Sequence, residues 1–213
     1  MDAPLLPPGV LPYLRETYDP LAILLYGSYA DGTHGPSSDL DALVLTSDGP
    51  AHRDVSVVDG VQLDVFIYPS SHFGADFDPG ELPQLAGAVV LLDRDGLGLA
   101  LKKRAADWLA RRPVKSLDEL RVQTAWCRKM LRRTQRGDAE GLFRLHWLLT
   151  DSLEICCDLL GRPYQGPKKS LRWLAEARPE GYAFYTAALA SPSPAALERW
   201  VSWLEAALEA RKA

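Results

Sequence analysis

The first hundred residues consist of short apolar runs separated by stretches rich in Gly, Pro, Ser and Asp. Four of these runs predict β-strands, because they are continuous or alternating and are bounded by turn residues: residues 21–28, 39–46, 55–69 and 88–96. The third run is divided by Asp59-Gly60, a typical hairpin turn, and therefore predicts two short strands. This part of the chain predicts a small β-sheet.

Beyond residue 100 the apolar positions recur at helical spacing, and Gly and Pro separate the segments. Six helices are predicted, at residues 98–111, 117–136, 139–160, 168–177, 180–190 and 194–211. Each mixes Leu, Trp and Ala with charged residues, which is typical of amphipathic helices in a bundle. The pattern predicts an α+β protein with a small mixed sheet in a first domain, residues 1–97, and a helical bundle in a second, residues 98–213.

The two parts differ in charge as well as in pattern. Residues 1–100 carry 15 acidic and 3 basic side chains, a net charge of −12, whereas residues 101–213 carry 13 acidic and 21 basic ones, a net charge of +8. An acidic part can hold cations and a basic part can receive polyanions. The net charge of −4 over all 213 residues argues against nucleic acid as the main partner.

Composition excludes several classes of protein. No apolar run approaches the ~20 residues of a membrane helix, and the acidic, Pro-rich start predicts no secretory signal peptide. Three clustered cysteines, with no Cys-x-x-Cys pair and no zinc-ligand spacing, predict buried free thiols. We therefore expect a cytoplasmic protein without a membrane partner.

The segment from Gly27 to Asp41 concentrates the residues suited to catalysis. A predicted strand delivers Gly27-Ser28 at its end, where a tight turn lets backbone N–H groups and a hydroxyl approach a phosphate. Asp39 and Asp41 are two positions apart on the next strand and therefore project from the same face. Paired carboxylates repel each other unless a cation joins them, and Mg²⁺ prefers such oxygen ligands.

Asp64 is the third candidate, on a strand that is otherwise rich in Val, Leu, Phe and Ile. A carboxylate in such surroundings is costly to bury without a cation or a partner. If this strand lies beside the one that carries Asp39 and Asp41, the three groups converge and suffice for one or two metal ions.

Together, Gly27-Ser28, the run to Ser38-Asp39-Leu40-Asp41, and Asp64 resemble the motif of the DNA polymerase β-like nucleotidyltransferases. The Gly35-Pro36-Ser37-Ser38-Asp39 spacing is similar to that of kanamycin-type aminoglycoside nucleotidyltransferases. The resemblance covers residues 21–68. One departure is Asp31, since many small members of the superfamily have arginine at this position.

The resemblance implies a Mg²⁺-dependent enzyme that transfers AMP from ATP to a hydroxyl of a small acceptor, such as an aminoglycoside. It assigns the triphosphate to Gly27 and Ser28, and two Mg²⁺ ions to Asp39, Asp41 and Asp64. It also implies that Asp64 orients and deprotonates the attacking hydroxyl. Glu81, in the turn after the last of these strands, is a second candidate for the general base. A helical C-terminal domain commonly completes such enzymes.

Cations for the β- and γ-phosphates are expected from the basic part of the chain. Lys168 and Lys169 begin a predicted helix and are candidates for nucleotide binding. The helix at 117–136 adds basic residues at helical spacing, of which we expect one or two to face the nucleotide: Arg121, Arg128, Arg132 and Arg136.

Two other functions remain open from the sequence. Some members of the superfamily act as antitoxins that bind or modify a partner protein, although these are typically shorter than this chain. Addition of nucleotides to RNA ends is a third alternative, which the acidic net charge disfavours. The sequence leaves the acceptor and the oligomeric state open, including a homodimer.

Overall fold

The computed structural model describes residues 6–211 and divides into two compact units, Met1–Arg112 and Pro113–Ala213. The first five residues of the N-terminal segment considered above lie outside the described part. The first unit contains the predicted mixed sheet and the second is helical, which confirms the α+β class.

The sheet of the first unit has six strands: β1 Ala22–Tyr26, β2 Leu40–Thr46, β3 His52–Asp54, β4 Val57–Val58, β5 Val61–Pro69 and β6 Val89–Asp93. Their order is β3-β5-β2-β1-β6, and β4 pairs with β5. Strands β2 and β5 are parallel and the other pairs are antiparallel. The predicted hairpin turn between β4 and β5 is confirmed, with positive φ angles at both Asp59 and Gly60.

Each face of the sheet packs against different elements. Helix α1, Val10–Tyr18, covers one face, where Leu14 is fully buried. Three short 3₁₀ turns at 70–87 and helix α3, Leu97–Arg111, pack on the opposite face. The sequence assigns α3 to the second domain, but in the structure its Leu101 and Ala105 pack into the core of the sheet unit.

A buried carboxylate connects α1 to the edge strand β3. Asp54 is 6% exposed and accepts hydrogen bonds from the hydroxyls of Tyr13 (3.0 Å) and Tyr18 (2.8 Å) and from the amide of Ser56 (2.8 Å). Burial alone raises the pKa of a carboxyl group, but these hydrogen bonds outweigh it and hold the pKa of Asp54 below its usual value. The ionised form therefore stabilises the fold.

Replacing Asp54 with alanine should lower the free energy of unfolding by about 2 kcal/mol at pH 7, because two hydroxyls lose a charged acceptor. Since the folded-state pKa is lowered, this contribution is complete above the unfolded-state pKa near 4 and is lost as the pH falls below it. Urea unfolding from pH 3 to pH 7 measures both effects. Asp76→Ala, at an exposed position, is the control; equal stability of the two variants would contradict the prediction.

Residues 113–211 of the second unit form five helices: α4 Leu117–Thr134, α5 Ala139–Leu159, α6 Gly166–Ala177, α7 Pro179–Ala190 and α8 Pro194–Ala210. Each coincides with a predicted helix to within two residues at either end. Ser116 and Glu119 form a capping box at the start of α4. Trp200 is fully buried in the core and donates to the Ser152 hydroxyl at 2.9 Å.

Among residues 6–211, no helix is both long enough and apolar enough to cross a bilayer.

Candidate active site

Three carboxylates meet on the sheet of the first unit. Asp41 and Asp64 are direct partners in the parallel register of β2 and β5, and Asp39 precedes Asp41 by two positions on the same face. One oxygen from each of the three residues lies within 4.8 Å of the others. The predicted convergence of two separate stretches of the chain therefore occurs in the structure.

Asp39 is placed by the loop that precedes β2. The Ser38 hydroxyl accepts from the Gly35 amide at 2.9 Å, and the Ser38 amide donates to the Gly35 carbonyl at 3.0 Å. These two bonds form a closed turn immediately before Asp39, so the small residues of the sequence motif direct the chain into β2. Asp39 is exposed, whereas Asp41 and Asp64 are half-buried.

Gly27 lies directly against the carboxylate of Asp41. It follows β1, where Tyr26 pairs with Asp41, and adopts a φ of +68° as it begins the four-residue helix α2, Gly27–Ala30. A Cβ atom at this position would lie 2.1 Å from the Asp41 Oδ2 atom. Glycine is required here both by the backbone conformation and by the close approach.

The three carboxylates repel one another because their negative charges lie close together. Burial, together with the charges of Asp39 and Asp64, raises the pKa of Asp41 to about 6. Burial and the neighbouring Asp41 and Asp64 likewise raise the pKa of Tyr26. Hard oxygen ligands held together against their mutual repulsion fit a divalent cation such as Mg²⁺.

Arg53 is a further member of the site, and the sequence pattern does not predict it. It lies on β3 opposite Phe66, and its Nε and Nη2 atoms donate to the two carboxylate oxygens of Asp64. Its guanidinium carbon is 5.2 Å from the centre of the Phe66 ring. The three-residue strand His-Arg-Asp lacks an apolar alternation, so only its spacing before the Asp59-Gly60 hairpin could have suggested it.

The other predicted site residues are Ser28, Glu81, Lys168 and Lys169, which are not among the three clustered carboxylates. Ser28 follows Gly27 in α2, and Glu81 is an exposed residue of a 3₁₀ turn outside the carboxylate cluster. Lys168 and Lys169 lie in the first turn of α6 in the second unit, and their role in nucleotide binding remains a prediction.

Three of the four arginines predicted along the helix at 117–136 form ion pairs within the second unit, and one of them, Arg136, lies beyond the end of α4. Arg121 pairs with Asp118, and Arg136 pairs with Asp138 and Glu140. Arg128 donates to the carboxylates of Glu198 and Glu205 on α8. These contacts connect neighbouring turns or helices, so Arg128 in particular has a structural role.

Residues 9–78 match the family model described as a nucleotidyltransferase domain. This match supports a nucleotidyl transfer function, which implies a transferase with a nucleoside triphosphate substrate. Among solved structures, the chain is similar to a nucleotidyltransferase-like protein from Exiguobacterium sibiricum 255-15, with 13% identity and a TM-score of 0.40 over 95% of this chain and 73% of that chain. No curated protein matches the chain.

Proposed function

We propose that the protein transfers AMP from ATP to a hydroxyl of a small acceptor and releases pyrophosphate. The observation that carries this proposal is the convergence of Asp39, Asp41 and Asp64 beside the Gly27 turn, within a domain that matches the nucleotidyltransferase model. Phosphoryl transfer requires mainly positioning and stabilisation of charge, and these residues can provide both.

In this proposal Asp39, Asp41 and Asp64 hold Mg²⁺. When bound, the metal supplies positive charge to the phosphate oxygens and polarises the reacting groups. The three carboxylates and Arg53 sum to a charge of −2, which one divalent ion balances. A second ion would accompany the triphosphate, which accounts for the two ions that the resemblance implies.

The protein residues would bind and orient the reactants. Gly27 lies against the Asp41 carboxylate, and the backbone N–H groups of the Gly27-Ser28 turn are suited to the triphosphate. The acceptor oxygen attacks the α-phosphorus, the bond from that phosphorus to the bridging oxygen breaks, and its electron pair leaves with pyrophosphate. Asp64 is our candidate for the hydroxyl proton, because it belongs to the cluster and Glu81 does not.

The choice of acceptor is based on the charge of the first part of the chain. The acidic surface of residues 1–100, with a net charge of −12, would attract a polycation such as an aminoglycoside. A protein acceptor, as in the antitoxin-like alternative, is favoured by no contact described above. We therefore place hydroxylated small molecules first, with aminoglycosides among them.

A pyrophosphate-release screen with Mg-ATP and hydroxylated acceptors tests this function. We expect turnover with at least one acceptor, and we expect EDTA to reduce it to background and excess Mg²⁺ to restore it. Mass spectrometry should detect an acceptor that is heavier by one AMP moiety. Pyrophosphate release that survives EDTA, or stable capture of a partner protein without turnover, would contradict the proposal.

A further inference from the structure

Arg53 occupies both oxygens of a carboxylate that we assign to the metal. Its guanidinium forms a two-point contact with Asp64, in which Nε donates to Oδ1 and Nη2 to Oδ2. Such paired contacts fix the plane of the carboxylate as well as its distance. Asp64 is therefore oriented by a protein cation even in the absence of a metal ion.

The strand that carries Arg53 is itself anchored. Its neighbour Asp54 is bound by two tyrosine hydroxyls of α1, and the Arg53 guanidinium lies over the Phe66 ring. The contacts of Asp54 restrain the backbone next to Arg53, and the Phe66 ring restrains its side chain. The Arg53 side chain is 53% exposed, and both its backbone and its guanidinium are held beside Asp64 by these contacts.

A positive charge at this position opposes a divalent ion. An ion bound by Asp64 must share a carboxylate oxygen with the guanidinium and experiences its charge at short range. The same charge partly offsets the repulsion among the three carboxylates, so the cluster has less need of a cation. Both effects weaken metal binding until another anion enters the site.

We propose that Arg53 is a positioning residue that orients Asp64 and keeps divalent-cation affinity low until a nucleotide triphosphate binds. The triphosphate supplies the negative charge that offsets the guanidinium, so metal and nucleotide bind cooperatively. This inference rests on the proposed function, because it takes the triphosphate as the substrate and the three carboxylates as the metal ligands.

The test measures Mn²⁺ binding by electron paramagnetic resonance, with and without a non-hydrolysable ATP analogue. Without the analogue, Arg53→Gln should bind Mn²⁺ about tenfold more tightly than the wild type. With the analogue, the difference in Mn²⁺ affinity between the two proteins should fall below about threefold. Arg53→Lys keeps the charge and should bind Mn²⁺ like the wild type. Arg94→Gln is the matched control, since it removes an equal charge that pairs with Asp19 at 2.6 Å elsewhere in the same unit.

Steady-state kinetics separate positioning from charge. Arg53→Lys loses the two-point contact and should lower kcat about tenfold with little change in the KM for ATP. If Arg53→Gln and Arg94→Gln bind Mn²⁺ with equal affinity, the proposed role of Arg53 is wrong. The proposed metal site would not be affected by that result. Absence of Mn²⁺ binding in every variant, with and without the analogue, would overturn both the inference and the proposed metal site.

Discussion

Asparagine in place of Asp41 is expected to slow nucleotidyl transfer severely and, without divalent cations, to make the protein more stable. The loss of one carboxylate ligand should reduce kcat by about 10³-fold, since metal ligation stabilises the charge of the transition state by several kcal/mol. Asparagine has nearly the same shape, so the sheet register between β2 and β5 should be retained.

The gain in stability follows from the raised pKa of Asp41. Because its carboxyl binds a proton more tightly in the folded than in the unfolded protein, wild-type stability falls as the pH rises from about 4 to about 6. The amide removes this cost, which we place at about 1 kcal/mol after allowance for solvent screening at a half-buried site. Above pH 7 the variant should therefore unfold at a higher temperature than the wild type in EDTA.

Calorimetry in EDTA and in Mg²⁺, together with pyrophosphate release, measures these effects. Mg²⁺ together with a non-hydrolysable ATP analogue should raise the unfolding temperature of the wild type and have little effect on Asp41→Asn. Asp48→Asn, an equal change at an exposed turn outside the cluster, should behave like the wild type. Full activity of Asp41→Asn would remove Asp41 from the site.

Alanine at Gly27 should reduce activity by about two orders of magnitude. The new methyl group would lie 2.1 Å from Asp41 Oδ2 and 2.8 Å from its Cγ atom, so the carboxylate or the turn must move. A displacement of this size is sufficient to disrupt a catalytic geometry. The positive φ of Gly27 adds a backbone cost of about 1 kcal/mol for any other residue.

Gly32 provides a control for the backbone cost. Its φ of +69° matches that of Gly27, but a Cβ atom there would have no neighbour within 4 Å. Gly32→Ala should therefore lose a similar amount of backbone stability and keep most of its activity, as measured by thermal unfolding and pyrophosphate release. Equal activity losses in the two variants would show that backbone strain, rather than contact with Asp41, is responsible.

The carboxylate cluster could be predicted because strand geometry links sequence spacing to position. Two residues of spacing place Asp39 and Asp41 on one face, and an apolar strand places Asp64 in the same sheet. Arg53 could not be predicted in the same way. Its strand is only three residues long, and its contact with Asp64 depends on pairing between β3 and β5, which no local pattern encodes.

The same holds for the helices. Features that depend on local sequence could be predicted, whereas features that depend on tertiary contacts could not. The helices of the second unit follow from their spacing and caps, such as Ser116 and Glu119. Helix α1 was not predicted, because the prolines before it obscure its start and its stability comes from packing on the sheet and from the contacts with Asp54. The assignment of α3 to the sheet unit likewise depends on contacts between distant residues.

The direct pairing of Asp41 with Asp64 also determines which lengths of chain can vary. The separation of Asp39 from Asp41 is set by the pleat, and changing it by one residue would turn one carboxylate to the other side of the sheet. The loops between β2 and β5 are less restricted, provided that β3 still pairs with β5 and that β5 re-enters the sheet opposite Asp41. Searches for distant homologues should therefore hold the spacing from Asp39 to Asp41 constant and allow insertions in the loops on either side of β3.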